Sequence, residues 1–150
     1  MKRATYSGTH NSTMVYGHVH IPSKTLNQIL SREGTIPDHF LGFPIKEGAF
    51  PYIYLLHPDD LKEKNGEIVT LRGKDISDTI YRIEVRGYKR LVIPKELRKF
   101  AELYKGVYFI GNLDHFEIWN RKNAVKEGRA SDIFIENHPR DVERLHERIS

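Results

Sequence analysis

The feature that most constrains the fold of this chain is a sequence module that occurs twice. The clearer copy carries RLVIPKELR at residues 90–98 and closes with FEIW at residues 116–119. The fainter copy carries HVHIPSKTL at residues 18–26 and closes with IYLLHPDDL at residues 53–61. In each copy a strand pattern ends at an Ile-Pro pair, and proline is favourable at the start of a helix. The repeat indicates a binding platform rather than an enzyme, built as one compact domain or as two small halves that share a core.

The two copies differ in length. Their Ile-Pro pairs are offset by 93 − 21 = 72 residues, whereas overlaying Trp119 on His57 gives 119 − 57 = 62. The first copy therefore has about ten additional residues, which we expect in the Gly/Pro-bearing stretch 34–51. Because lengthening a loop costs little closure entropy, the mismatch does not exclude a duplication.

The beginning of the first copy predicts a hairpin and a helix. Residues 1–13 are small and polar, which favours an irregular arm or a short edge strand. Residues 14–21 predict a strand, a turn at Gly17 and a second strand. Residues 22–32 then predict a helix that Gly34 ends.

The rest of the first copy mixes loop and strand signals. Residues 35–52 carry three prolines and two glycines and predict a long, turn-rich loop. Residues 52–56 are continuously apolar and predict a buried strand, and residues 57–63 predict a short helix. The polar stretch 64–79 is where we place the boundary between the halves.

The second copy has clearer periodicity. Residues 81–86 alternate apolar and charged side chains, the pattern of a half-buried strand, and residues 90–93 form the returning strand that Pro94 stops. The next apolar positions follow a helical spacing and predict one apolar stripe: Leu97, Phe100, Ala101 and Tyr104.

The end of the second copy predicts another hairpin. Its strands are residues 107–110 and 115–119, after which Asn120 caps a short helix that Gly128 closes. Residues 129–150 predict a tail with a charged terminal helix, which we expect to dock on a neighbouring subunit.

Composition excludes several function classes. The chain has 150 residues, 39% hydrophobic, and no run near the ~18 apolar residues that span a bilayer. It also lacks a signal-peptide pattern, so we expect a soluble, cytoplasmic protein with no membrane partner. Zero cysteines exclude disulfides, iron–sulfur ligation and thiol catalysis. Phosphate-binding loops, nucleophile elbows, zinc quartets and dinucleotide fingerprints are absent from the sequence. We therefore predict no enzyme, no catalytic residue, no metal site and no cofactor.

Positive charge is concentrated in the second copy. The net charge is only +4, yet residues 82–105 contain eight Lys/Arg against three acids, 8 − 3 = +5. A local basic surface is typical of proteins that bind a phosphate backbone. A solvated basic helix face has the same composition, so charge alone leaves both interpretations open.

Residues 81–126 strongly resemble the second half of the MraZ family, of the wider AbrB-like swapped-hairpin superfamily. The resemblance is carried by RLVIPKELR at 90–98 and IGNLDHFEIWNRK at 110–122. It implies an α+β fold of two pseudo-repeated β-α-β modules in one double-hairpin, barrel-like domain spanning 1–150.

The same resemblance implies a division of the chain and an assembly. The first, divergent module would be residues 8–66, the second 78–128, and the C-terminal tail 129–150. Family members form ring-like homo-oligomers and bind duplex DNA at promoter repeats upstream of the bacterial division and cell-wall gene cluster.

The family contacts DNA through an Asp-x-x-x-Arg signature before each Ile-Pro pair. Here Arg90 matches the arginine of the second module, but Arg86 stands at the aspartate position. The first module has His18 at the arginine position and Met14 at the aspartate position. One of four signature residues is retained. With Lys89, the two arginines form a cluster that neutralises more phosphate but orients each group less, which favours sequence-tolerant binding.

We predict Arg86, Lys89, Arg90 and His18 as the DNA-binding residues. His18 and His20 lie on one face of their strand and would be mostly neutral at pH 7. The first module should then bind less tightly or need protonation. A His-x-His pair could also ligate a metal. Since the sequence places no third ligand, we prefer surface histidines.

Five further residues receive structural roles. Trp119 is expected to pack in the core, and Arg98 and Arg121 could pair with acids across a subunit contact. The adjacent acids Asp59 and Asp60 begin a helix, where they complement its dipole.

The leading function is a DNA-binding transcriptional regulator, cytoplasmic and nucleoid-associated. Two alternatives stay open. One is an assembly or interaction protein that kept the scaffold but lost specific DNA binding. The other is an antitoxin-like protein that binds a protein partner through residues 129–150.

Overall fold

The computed structural model describes residues 4–64 and 79–129. Eight antiparallel strands of this part form a closed barrel. They are β1 (Thr9–Val15), β2 (His18–His20), β3 (His39–Glu47), β4 (Phe50–Leu56), β5 (Tyr81–Arg86), β6 (Arg90–Val92), β7 (Gly106–Asn112) and β8 (His115–Asn120). The helices are α1 (Ser23–Glu33), α2 (Lys95–Phe100) and α3 (Arg121–Lys126). A 3₁₀ turn at Pro58–Asp60 leads into helical residues 61–64, where the sequence predicted a short helix at 57–63. Most of the predicted boundary at 64–79 and almost all of the predicted tail lie outside the described residues.

The strands of the two halves alternate around the barrel. The order is β1-β2-β6-β5-β3-β4-β8-β7, and β7 pairs back with β1. Each hairpin of one half therefore lies between strands of the other half. Exchanging β1–β4 with β5–β8 reproduces the same circular order. The two halves share one sheet, and each hairpin completes its hydrogen bonding only against the other half.

The predicted double-hairpin barrel is confirmed at this level, in a chain that is mostly β with few helices. Each half consists of a hairpin, a helix and a second hairpin. The residue patterns predicted the first hairpin in both copies and the closing hairpin in the second copy, whereas the β-α-β module implied by the resemblance lacks one strand at each end.

The prediction for residues 1–13 is wrong from Thr9 onward. β1 begins there and is an internal strand, paired with β2 on one side and β7 on the other. Ser12 Oγ also donates a hydrogen bond to the His20 carbonyl. Weak local propensity is overridden because both edges of the strand find backbone partners.

The turn-rich loop predicted at residues 35–52 is also wrong. Most of this stretch is β3 and the beginning of β4. The two strands pair with each other from Leu41, opposite Leu56, to Glu47, opposite Phe50. The prolines are tolerated because of where they stand. β5 pairs with β3 only as far as Gly42, and Pro44 lies beyond that point. Pro51 likewise precedes Ile53, where pairing with β8 begins. Proline has no backbone N–H to donate. At both positions the strand has no pairing partner on that side among the described strands, so no ladder hydrogen bond is lost there.

The additional residues of the first half lie in two places. α1 has 11 residues against 6 in α2, so part of the excess precedes the predicted stretch 34–51. The rest lengthens the β3–β4 hairpin, whose strands have 9 and 7 residues against 7 and 6 in β7 and β8. His57 and Asn120 each cap the turn of helix that follows their strand. The two copies are therefore offset by 120 − 57 = 63 residues at these caps, one residue more than the sequence overlay gave.

Two of the predicted capping residues lie at helix ends in the structure, whereas one helix is shorter than predicted. Gly34 ends α1 in the left-handed conformation, with φ 80 and its N–H bonded to Leu30. Asn120 caps α3 by accepting a hydrogen bond from the Asn123 N–H. α2 ends at Phe100, so Tyr104 does not join the predicted stripe and is 69% exposed.

Two hydrophobic clusters lie on opposite sides of the sheet. The first fills the barrel interior and includes Val19, Phe40, Ile83, Leu91, Phe109 and Phe116. The second lies outside the wall formed by β3, β4, β8 and β7, against α3, and includes Phe43, Tyr52, Tyr54, Tyr108 and Trp119. Trp119 is fully buried and stacks on Tyr52 with ring centroids 4.6 Å apart, which confirms its packing role.

Two charged residues are buried where the sequence suggested surface roles. Arg121 donates a hydrogen bond to the Ser12 carbonyl at 3.1 Å, and its guanidinium lies over the Tyr108 ring. Asp60 is buried and lies 3.4 Å from Arg32, so it is an ion-pair partner as well as a helix-start acid. No helix among the described residues is long and apolar enough to span a membrane.

Candidate nucleic-acid interface

Four adjacent strands, β1, β2, β6 and β5, form the wall that carries both hairpin turns before the Ile-Pro pairs. β2 and β6 are antiparallel, so the two turns lie at opposite ends of this pair. Each turn is tied to the other module: the Gly17 carbonyl accepts from Ile93 N–H at 2.9 Å, and the Lys89 carbonyl accepts from Ile21 N–H at 2.7 Å. The position of each turn therefore depends on both halves.

The turn of the second hairpin spans residues 87–89 and brings three predicted DNA-binding residues together. Arg86, Lys89 and Arg90 flank or belong to the turn, and all three are exposed. Gly87 and Tyr88 have positive φ values of 59 and 60, which turn the chain sharply. Tyr88 lies between the cations and is 74% exposed. The turn presents charge and an aromatic ring to solvent.

The cations of this hairpin differ in their partners. Arg86 lies 3.4 Å from the Glu84 carboxylate, with both side chains about half exposed. Arg82 lies 3.7 Å from Asp38. Within the part of the chain that the structure describes, Lys89 and Arg90 form no ion pair. These two side chains can bind an external anion without first breaking an internal contact.

Asp38 is held by its neighbours on this side of the wall. Its carboxylate lies 2.6 Å from His39 Nδ1, and this hydrogen bond is the largest cause that lowers the pKa of Asp38. Arg82 adds a smaller effect in the same direction. The Asp38 side chain is 80% exposed, so its ion pair with Arg82 is a surface contact.

Three strands contribute to what we call the cationic row: His20, Arg90 and Arg86. Arg90 is the direct cross-strand partner of Arg86 on one side and of His20 on the other. Directly opposite residues have Cβ atoms about 4.5–5.5 Å apart and point to the same face. The row therefore places two arginines and a histidine side by side on the outer surface.

His18, the predicted site residue of the first module, lies in a different environment. Its cross-strand partners are Val15 and Val92, and it is only partly exposed. The module repeat makes His18 the counterpart of Arg90, yet the histidine beside Arg90 in space is His20. Sequence reasoning placed both histidines on one face and selected His18, because the repeat aligns it with Arg90.

The first hairpin turn is one residue shorter than the second. Val15 pairs with His18, leaving Tyr16 and Gly17 in the turn with φ values of 52 and 79. These values are typical of a type I′ turn. The shorter turn makes Val15, rather than Met14, the counterpart of Arg86. Neither position supplies the signature carboxylate.

The sequence did not predict that Arg98 lies at the first turn. The Arg98 guanidinium packs against Gly17, where an added Cβ would lie 3.0 Å from the guanidinium carbon. Arg98 comes from α2 in the other half, so only the folded chain brings the two together. No periodic or local signal in the sequence could have identified this pair.

A buried polar cluster lies away from this wall, on β8. Glu117 is 1% exposed and accepts hydrogen bonds from Trp119 Nε1 at 2.9 Å and Asn112 Nδ2 at 3.3 Å, and it lies 2.8 Å from His115 Nε2. Burial alone would raise the pKa of Glu117, but the hydrogen bonds to His115 and Trp119 outweigh it and lower the pKa. Tyr54 stacks on the His115 ring. The satisfied bonds indicate a structural role.

Metal binding receives no geometric support from the described ranges 4–64 and 79–129. They contain no group of three or more His, Asp or Glu side chains placed to hold a metal ion. His18 and His20 thus remain a pair without a third ligand within those ranges.

Comparisons with known proteins concern mainly the second half. A family model described as "MraZ protein, putative antitoxin-like" matches residues 81–124. A protein named Transcriptional regulator MraZ from Caldicellulosiruptor saccharolyticus is 34% identical over 62 residues, 41% of this chain and 43% of the relative. Another of that name from Desulfosudis oleivorans is 40% identical over 58 residues, 37% of this chain and 40% of the relative. The chain thus spans less than half the length of these curated relatives.

A third relative of the same name, from Desulforapulum autotrophicum, is 38% identical over 47 residues, 31% of this chain and 32% of the relative. The resemblance stated for residues 81–126 is thereby confirmed over 81–124. That range contains β5 to β8, and with them the second hairpin turn and its cations.

Proposed function

We propose that this chain, which carries a clear MraZ family segment at residues 81–124, is a DNA-binding transcriptional regulator. The observation that carries the proposal is the exposed group of Arg86, Lys89 and Arg90 at one turn of the barrel wall. Relatives named as transcriptional regulators match about two fifths of this chain.

The chemistry of the group fits a phosphate backbone. Lys89 and Arg90 have no competing acid among the described residues. The exposed Arg86–Glu84 pair contributes only about 0–1 kcal/mol, so a phosphate can displace Glu84 at little cost. Without the signature aspartate to orient Arg90, the contacts are to phosphates more than to base edges. The protein then binds duplex DNA with weak sequence preference.

We further propose a ring-like homo-oligomer of swapped-hairpin type. Two pseudo-repeated modules, 8–66 and 78–128, form one domain, and residues 129–150 form a docking tail. The interleaved order of the hairpins supports the joining of the two modules in one domain. Several copies on one duplex would add binding strength that a single cationic turn lacks. The protein acts in the cytoplasm, associated with the nucleoid, without a cofactor and without enzymatic activity.

The salt dependence of duplex binding tests the proposal. We expect Arg90→Ala and Lys89→Ala each to lower the log–log salt slope by about 0.9, because each removes one phosphate contact. Fluorescence anisotropy with a labelled random-sequence duplex, titrated at several salt concentrations, measures the slope.

Lys122→Ala is the matched control. Lys122 is exposed on α3, which packs against β4, β7 and β8 rather than the cationic wall, so its removal should leave the slope unchanged. No binding of any duplex at low salt, or equal slopes for all three variants, would contradict the proposal.

One observation favours a second function, a protein-assembly scaffold. The first hairpin exposes apolar surface where the second exposes charge: Tyr16 is 98% exposed and Val15 56%. If this hairpin contacts protein, Tyr16→Ser should change the oligomer size in sedimentation without altering the salt slope. An unchanged size would remove this candidate. The antitoxin-like alternative rests on residues 129–150, almost all of which lie outside the described chain.

A further inference from the structure

We propose that His20 is a proton-linked phosphate contact, so that DNA binding takes up a proton at this side chain. This inference rests on the proposed function and means that the local pH regulates DNA binding at that interface. It follows from the position of His20 in the cationic row, next to Arg90 and one strand further from Arg86.

The row is a contiguous phosphate-binding strip. Its three members are exposed, and each has its neighbour directly opposite on the adjacent strand. The short spacing between opposite side chains lets one phosphate contact two of them at once. A neutral imidazole can donate only one hydrogen bond, whereas an imidazolium adds charge and a second donor.

Cations lie on β6 and β5, the next two strands on one side of His20. β6 contributes Arg90 and, at the turn, Lys89, while β5 contributes Arg86. Glu84, the acid on that side, lies against Arg86.

β1 lies on the other side of β2. Its Ser12 donates a hydrogen bond to the His20 carbonyl.

A bound phosphate adds negative charge to the row. It attracts an imidazolium directly, so the complex favours the protonated form of His20 more than the free protein does. By linkage, DNA binding and proton uptake then strengthen each other equally. Because histidines are the side chains whose charge ordinarily changes near physiological pH, the range to test is about pH 5.5 to pH 8.

His10 provides a control outside the row. It lies on β1 opposite Phe109 of β7, and its ring is hydrogen-bonded to the Ser7 carbonyl. His10→Gln therefore makes the same substitution as His20→Gln at a residue that we do not assign to the interface.

The test is a pH series of duplex affinity by anisotropy, with the random-sequence duplex at fixed salt. Wild-type binding should strengthen from pH 8 to pH 5.5 by about tenfold more than His20→Gln, the equivalent of a one-unit change in proton affinity on binding. His20→Lys should bind more tightly than the wild type at pH 8 and lose this pH dependence. His10→Gln should keep it.

Isothermal titration calorimetry measures the proton directly. Binding enthalpies in buffers of different ionisation enthalpy give the number of protons taken up near pH 7. We expect net uptake by the wild type and by His10→Gln, and loss of that uptake in His20→Gln. Equal proton uptake in the wild type and His20→Gln would overturn the inference.

The two proposals fail in different ways. If the wild type binds duplex DNA and Arg90→Ala weakens it, but His20→Gln leaves both the pH series and the proton uptake unchanged, only the role of His20 is wrong. If the wild type binds no duplex at any pH, the proposed function is wrong and the inference falls with it. Circular dichroism confirms that each variant is folded.

Discussion

At the scale of single residues, Glu117 shows how burial changes the role of an ordinary strand position. The motif FEIW at residues 116–119 alternates along a strand, which would place a glutamate in solvent. In the barrel that face is covered, and the carboxylate is held by His115, Trp119 and Asn112. Removing the charge leaves buried donors without their acceptor, which costs about 1–3 kcal/mol.

We therefore expect Glu117→Gln to lower the free energy of unfolding at pH 7 by about 1–3 kcal/mol in urea denaturation. The pKa of Glu117 is lowered in the folded protein, so its stabilisation is present above its unfolded value, 4.5, and is lost as pH falls through the folded pKa. The difference between variant and wild type should shrink below pH 4.5. Glu63→Gln, at an exposed position, is the control and should change little. A constant difference down to low pH would contradict the assignment.

At the scale of elements, the two hairpin turns of the wall have diverged in length, charge and packing. The first has a two-residue turn supported by Arg98, and the second a longer turn surrounded by cations. Glycine is needed at position 17 for two reasons. Its φ of 79 is left-handed, and an added Cβ would lie 3.0 Å from the Arg98 guanidinium carbon. Gly34 has a similar φ of 80 but nothing within 4 Å.

This pair of glycines allows a matched prediction. Gly34→Ala should cost about 1–2 kcal/mol, the strain of a left-handed conformation for a residue with Cβ. Gly17→Ala should cost more, because it also displaces Arg98. Thermal or urea unfolding measures both. Adding Arg98→Ala to Gly17→Ala should recover the excess, and equal costs for the two glycine variants would show that Arg98 does not constrain the turn.

At the scale of the whole molecule, the interleaved strand order makes the two halves dependent on each other. Each hairpin of the barrel is flanked on both sides by strands of the other half. A single half would leave long unpaired edges and an open core.

We expect a fragment of residues 1–64 to be unfolded alone, and a fragment of residues 79–150 to be unfolded or to pair with a second copy of itself. Mixing the two should restore the β-sheet signal in circular dichroism as a one-to-one complex in sedimentation. A folded monomer of either fragment would contradict the dependence.

Much of the local structure could be predicted from the sequence. The strand at residues 81–86, the buried strand at 52–56 and the helix stop at Gly34 follow from alternation, apolar runs and the left-handed preference of glycine. The cationic turn of the second hairpin also followed from local composition. The strands β1 and β3 could not be predicted, because their polar or proline-bearing residues favour loops until partners on the sheet satisfy their backbone groups.

The sequence by itself determined where strands meet helices and which turn is cationic, since Ile-Pro pairs, caps and charge clusters act over a few residues. Only the tertiary structure decided that His20 lies beside Arg90 and that Arg98 supports Gly17. Strand register between the halves depends on hydrogen bonds and packing between residues far apart in the chain, and a shift of one residue would turn every side chain to the other face.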